Sequence, residues 1–170
     1  GFITSIADGL NIDYPRYRPS ILYLNGEFWG IHNLREKVNE HFIASNHSIP
    51  SEHIDLLEKK GVYEENIVHG TNADYQVLMN YLETQEMNDP LVENAIENWI
   101  DIESYMSYQA FQIFIDNRDW PGNNIKFWRD HRVGGKWRWI LYDTDFGFSI
   151  WDSYAYTFNT LSFALDPYGP

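Results

Sequence analysis

The chain has 170 residues and no cysteine. A disulfide framework and a cysteine metal site are therefore excluded, and cysteine usage leaves the compartment open. Basic residues are scarce as well: 12 Lys and Arg stand against 25 Asp and Glu, for a formal charge of −13. So acidic a chain is poorly suited to tracking phosphates, and no nucleic-acid partner is expected. Attraction to an anionic membrane surface is disfavoured for the same reason. No apolar run approaches the roughly 18 residues that a spanning helix needs, so no membrane insertion is expected. Internal repeats, low-complexity tracts and clear interdomain linkers are also missing.

The composition that is present is globular. The chain is 44% hydrophobic and 17% aromatic, with 7 Trp and 12 Tyr, enough for one domain with a real core. The acidic surplus suits a solvated surface first, and cationic partners or divalent metals second. The chain opens at Gly1-Phe2-Ile3 inside an expected helix and closes at Pro170 without a cap. A single partial domain over 1–170, truncated at both ends, is the expectation. A targeting signal would then lie upstream of Gly1, and a secreted or cell-surface location would follow from one. Oligomeric state is left open.

Periodicity sets the elements. Ile3, Ile6 and Leu10 suggest a helix over 2–11, and Pro15 and Pro19 break the segment after it. Ile21 to Leu24, then Asn25-Gly26, then Phe28 to Leu34 predict a tight β-hairpin. A helix is expected over 36–46, with Val38, Phe42 and Ile43 on one face. Residues 47–72 read as irregular, with a strand at 53–57. Helices are expected from near Asn72, from Asp89-Pro90 and from Asp101. The last of these, over 101–117, is expected to turn Ile102, Met106, Ala110, Ile113 and Phe114 inward. Two strands, 125–129 and 137–142, are joined near Gly134-Gly135, and an irregular aromatic tail starts at Trp151.

Chemistry concentrates between Asn117 and Gly147. Asp119 ends the long helix, Asn124 comes five positions later, and the strand pair leads into Asp143-Thr144-Asp145-Phe146-Gly147. Phosphoryl transfer needs positioning and charge neutralisation more than covalent chemistry. A carboxylate must orient the attacking hydroxyl and take its proton, for which Asp119 is the candidate. A hard-oxygen set must hold a metal against the phosphates, for which Asn124 and Asp145 are candidates. If the chain is extended there, Asp143 points to the same side as Asp145 and serves as a second ligand or supports the first. Pro121-Gly122 turns the loop so that Asp119 and Asn124 can face one cavity. Lys126, alternating with apolar neighbours on a strand, can reach a phosphate.

The stretches NRDWPGNNIKFWRD and GKWRWILYDTDFGF, with YLNGEFWGIHNLREKVNEHF upstream, resemble the CotH kinase family (spore coat protein H-like). The resemblance covers nearly the whole chain. It implies an α+β, protein-kinase-like fold with a partial small lobe carrying a β-hairpin, and a helical large lobe carrying a second hairpin. It also implies an ATP- and Mg2+- (or Mn2+-) dependent kinase acting on protein Ser/Thr. The catalytic role then falls on Asp119 and the metal roles on Asn124, Asp145 and Asp143. Arg35, Glu36 and Lys37 would sit near the hinge between lobes as cofactor-binding residues, with Lys126. The chain departs from the protein-kinase pattern in four ways. It has no Gly-rich phosphate loop and no lysine ahead of the first helix. Asn117 stands where His is usual, and Pro121 where Lys is usual. A weakly binding or inactive fragment is consistent with those departures.

Plainer readings stand beside these. Asp119 and Asn124 are turn residues in the plain reading, and Asp143 with Asp145 a solvated or calcium-holding pair. Glu36 is a salt-bridge partner at a helix start, and Arg35 and Lys37 are solvated. Trp120, Trp128, Trp137 and Trp139 belong to the core or to cross-strand pairs. As whole-protein alternatives, aromatic density allows a carbohydrate- or calcium-binding surface module, and the missing phosphate grip allows a pseudokinase scaffold.

Overall fold

The computed structural model describes residues 2–61, 65–148, 150 and 152–166. It is a mixed α+β fold built on two antiparallel sheets. Helix α1 (Phe2–Ile6) stops well short of the expected 2–11, where Asp8-Gly9 turns the chain. Ala7 and Ile12 are its buried neighbours, while Ile6 and Leu10 stay exposed.

Strands β1 (Tyr17–Leu24) and β2 (Glu27–Arg35) form the expected hairpin. Asn25 (φ 52°) and Gly26 (φ 86°) both take the left-handed conformation that a type I′ turn requires. The strands are longer than expected, and Pro19 lies inside β1, opposite Asn33. A two-stranded sheet has only edges, so the missing N–H of Pro19 need not break a central ladder.

Helix α2 (Glu40–His47) begins later than expected, because the Asn39 side chain caps it by accepting from the Phe42 amide at 3.1 Å. Arg35 thus closes β2, and Glu36 and Lys37 lie in the link to α2. After a 3₁₀ turn (Ser51–His53) come β3 (Ile54–Lys59) and β4 (Glu65–His69). The first matches the expected strand. The second departs from the expected irregular stretch, because its sequence, ENIVH, has only two apolar residues.

Helices α3 (Ala73–Thr84), α4 (Pro90–Trp99) and α5 (Ile102–Phe114) start where expected; Asp89 and Asp101 are the predicted caps, accepting from the Leu91 and Ser104 amides, while Asn72 makes no capping side-chain bond. Of the expected inward face of α5, Ile113 packs against the core, while Ile102, Met106, Ala110 and Phe114 are exposed. Ser104, Tyr108, Phe111 and Gln112 are buried, whereas Met106 is 60% and Phe114 64% exposed. Apolar residues surround this helix, so periodicity alone does not choose a side. The two large rings of Tyr108 and Phe111 decide it.

Strands β5 (Ile125–Asp130) and β6 (Arg138–Ile140) complete the second sheet, in the order β4-β3-β5-β6. β6 is shorter than the expected 137–142 because the ends of that run bond elsewhere. The Trp137 amide donates to the Trp99 carbonyl and the Leu141 amide to the Asp13 carbonyl. The tail is less irregular than expected, with a 3₁₀ turn (Ala155–Thr157) and helix α6 (Thr160–Ala164); Trp151 lies outside the described residues.

This sheet is the spine of the core. On one face Leu57, Phe127 and Trp139 pack with Tyr75 and Leu78 of α3 and Tyr108 of α5. On the other, Ile54, Leu56, Trp128 and Ile140 pack against Phe42 and Ile43 of α2. Trp120, Trp128 and Trp137 are buried and Trp139 is half-buried, as the core reading expects. Among the described residues no helix is long and apolar enough to cross a membrane.

Candidate active site

Strand alternation carries the second face of the sheet into a cavity. Leu56 stands opposite Trp128, and two positions on Glu58 stands opposite Lys126, which itself faces Ile140. Glu58, Lys126 and Tyr142 thus continue an apolar stripe with a polar end. Lys126 Nζ lies 3.3 Å from Glu58 Oε1, the Tyr142 hydroxyl donates to the same oxygen at 3.0 Å, and Nζ sits 4.7 Å from the centre of the Tyr142 ring. Burial, followed by the Glu58 charge, pushes the Tyr142 hydroxyl well above its ordinary range.

The cavity above this group has a volume of about 620 Å³. Arg35, Glu36 and Lys37 line it from the β2–α2 link, Lys126 and Tyr142 from the sheet, and Asp143 and Asp145 from the loop after β6. Six of the eight residues singled out in the sequence therefore meet on one wall set. Asp119 and Asn124 do not line that cavity. The Asp119 charge is felt by Asp143, and Asn124 bonds to Asp119.

Asp143 is not extended, contrary to the expectation of a face shared by strand alternation. It has φ 49°, and Asn124 has φ 53°. Asp and Asn tolerate this region better than other side chains. Asp143 and Asp145 reach the same cavity through a turn and not through strand alternation. Partial burial, then the charges of Asp145 and Asp119, hold the Asp143 carboxyl above the usual carboxylate range, while Arg35 and Lys126 pull the other way. Gly147 packs so closely that an added Cβ would lie 3.1 Å from the Ile115 carbonyl oxygen and 3.2 Å from that of Thr144. A larger residue there would have to push the end of α5 or the Thr144 backbone back by a few tenths of an ångström.

Asp119 sits in the tight turn after α5. Asn117 is buried; its side-chain amide donates to Gln112 Oε1 at 2.9 Å, and its side-chain carbonyl accepts from the Asp119 amide at 3.2 Å. The Asn124 side-chain nitrogen donates to Asp119 Oδ2, leaving the Asn124 amide oxygen as its group suited to a metal. Arg118, next in the chain, pairs with Asp116 at 3.2 Å and Asp152 at 3.6 Å and lies 3.6 Å over the Phe158 ring, which ties the tail to this loop.

Glu36 corrects the plainer reading. It does not start a helix; its carboxylate accepts from the Arg16 amide at 2.8 Å, closing the base of the hairpin. Sequence reasoning missed Glu58, Tyr142 and Asn123, which surround the chosen residues. The tandem Asn123-Asn124 was a visible signal. The Glu58–Lys126 pair was not, since it depends on strand register.

The cavity lining combines the Asp143 and Asp145 carboxylates with three cationic side chains. Mg2+ usually takes one or two carboxylates with substrate phosphates, so Asp143 and Asp145 are the cavity's groups that could hold such an ion, and Arg35, Lys37 and Lys126 the ones that could meet an anion. Among the described residues no group of three or more His, Asp or Glu side chains could hold a metal alone. A cavity of this size lies within the usual range for small-ligand pockets.

An α+β domain with a hairpin sheet, a helical lobe and this carboxylate–cation cavity is of the kinase-like class. The family model described as CotH kinase protein matches residues 1–166, and the chain belongs to the CotH kinase family. No curated protein matches the chain.

Proposed function

We propose that this domain is an atypical protein kinase that phosphorylates Ser or Thr hydroxyls of proteins using ATP with Mg2+ or Mn2+. The supporting observation is the cavity of about 620 Å³ that Arg35, Lys126, Asp143 and Asp145 line together. Asp119 orients the acceptor hydroxyl and takes its proton. Asp145, Asp143 and the Asn124 amide oxygen hold the metal. Lys126, steadied by Glu58 and Tyr142, meets phosphate oxygens, with Arg35 and Lys37 as further cations lining the cavity. Glu36, bound to the Arg16 amide, keeps the hairpin against the nucleotide side. When bound, the metal–nucleotide pair supplies the phosphoryl group, and positioning with charge neutralisation then provides most of the rate.

The test combines melting with transfer. ATP and Mg2+ together raise the melting temperature, neither alone does, and Asp145→Ala abolishes the shift. Radiolabel from ATP appears on the domain or on a Ser/Thr protein, and Asp119→Ala cuts it to a small residual rate. Transfer at the wild-type rate by Asp119→Ala overturns the role of Asp119. A metal–nucleotide shift without any transfer favours the scaffold reading, and a shift with glycans and calcium in its place favours the surface module.

A further inference from the structure

Asp119 is held by two amides, and only Asn124 was singled out for chemistry. Asn123 donates from Nδ2 to Asp119 Oδ1 at 3.1 Å and Oδ2 at 3.3 Å. Its own side-chain carbonyl accepts from the Gly61 amide at 3.1 Å, and its backbone amide donates to the Asp119 carbonyl at 3.0 Å. Gly61 lies just after β3, whose Glu58 steadies Lys126. One half-buried side chain thus links the proposed base to the strand that carries the phosphate-facing pair.

We infer that Asn123 is a positioning residue: it locks the Asp119 carboxylate in the orientation needed to receive the substrate proton, and it takes its own bearing from the turn after β3. A carboxylate on a short side chain rotates freely unless something fixes both oxygens. Asn124 fixes Oδ2 alone, and Asn123 spans both. The amide at 123 is suited to this task because it offers a donor to the carboxylate and an acceptor to Gly61 at once. Asp at 123 keeps the acceptor and loses the donor. Ala loses both.

The inference rests on Asp119 being the base, and the experiment separates the two ideas. Asn123→Asp and Asn123→Ala are each made alone and together with Asp119→Ala. In the wild-type background both variants lower kcat roughly ten- to a hundredfold, as expected for a misoriented catalytic group. The KM for ATP and the melting shift with ATP and Mg2+ stay unchanged. In the Asp119→Ala background neither variant lowers the residual rate further. NMR provides a readout free of turnover: the Asn123 side-chain amide protons exchange slowly in the wild type and rapidly in Asp119→Ala. Wild-type kcat in Asn123→Asp overturns the inference while leaving Asp119 as base. An equal loss in both backgrounds also overturns it, by making Asn123 merely structural. If Asp119→Ala alone has no effect on transfer, the base assignment fails first.

Discussion

Asp13 gives the sharpest test of how the cavity is held open. It lies between α1 and the hairpin, and it is largely buried. Its Oδ1 is 2.8 Å from His47 Nε2 of α2. Its Oδ2 accepts from Trp128 Nε1 of β5 at 2.9 Å and from Arg138 Nε of β6 at 3.2 Å. Two residues on, Pro15 and then Tyr17 line the cavity, so Asp13 pins the hairpin base to the large sheet. Asp13→Ala removes three partners at once. Breaking a buried pair from one side costs about 3–5 kcal/mol. Arg138 keeps Asp101 and Asn11, however, so its charge is not stranded. The lower end, about 3 kcal/mol, is therefore expected, and urea unfolding at pH 7 measures it. Burial raises the Asp13 carboxyl, but His47, Arg138 and Trp128 outweigh it and leave it below the usual range. A lowered folded value means that the contribution is present above the unfolded carboxylate pKa, near 3.9, and is lost as pH falls through the folded value. The difference between wild type and Asp13→Ala should thus be full at about pH 6–7 and shrink at lower pH, starting near that unfolded value. A cost below about 1 kcal/mol, the size of an exposed pair, or a difference that does not shrink in acid would refute the reasoning.

Three further outcomes are expected. Lys126→Met leaves Glu58 facing the Tyr142 hydroxyl, with Lys60 at 3.4 Å as the remaining cation paired with it among the described residues; it should lose about 1–3 kcal/mol, and adding Glu58→Gln should recover part of that in urea unfolding. Asp143 has a raised carboxyl pKa, so its favourable contribution is complete below the unfolded value and lost as pH rises through the folded one. Asp143→Asn should therefore melt higher than wild type at about pH 7 and no higher near pH 3, while losing the ATP–Mg2+ shift. Gly135→Ala would drive a Cβ into the Asp130 carbonyl oxygen; a loss of about 1–3 kcal/mol or more should appear in calorimetry.

How much of this was legible depends on whether the signal was local. The Asn25-Gly26 turn, the Asp89 and Asp101 caps and the Asp143–Gly147 run are short patterns whose physics lies within a few residues. All are readable from the chain alone. The face of α5 is not, because Ile102, Met106, Ala110 and Phe114 make as good a stripe as Tyr108, Phe111 and Ile115. The rings of Tyr108 and Phe111 select the second stripe by packing with Tyr75, Phe127 and Trp137 in one core. β4 is hidden for a related reason: its pairing with β3, and not its own pattern, makes it a strand.

The site divides in the same way. Asp119, Asn124, Asp143 and Asp145 stand out because their spacing in the chain carries the motif. Glu58 escapes because it acts through Lys126, 68 positions away in sequence but directly opposite in register. That register is fixed by burial. Leu56 opposite Trp128 and Leu57 opposite Phe127 place four apolar side chains on two packed faces. A slip by one residue would send each to the wrong face. The same slip would take Lys126 away from Glu58 and turn its ammonium out of the cavity. The hydrophobic core and the proposed phosphate site are therefore set by one alignment of β3 and β5. Mutations that loosen the core there should weaken nucleotide binding even though they lie well outside the cavity.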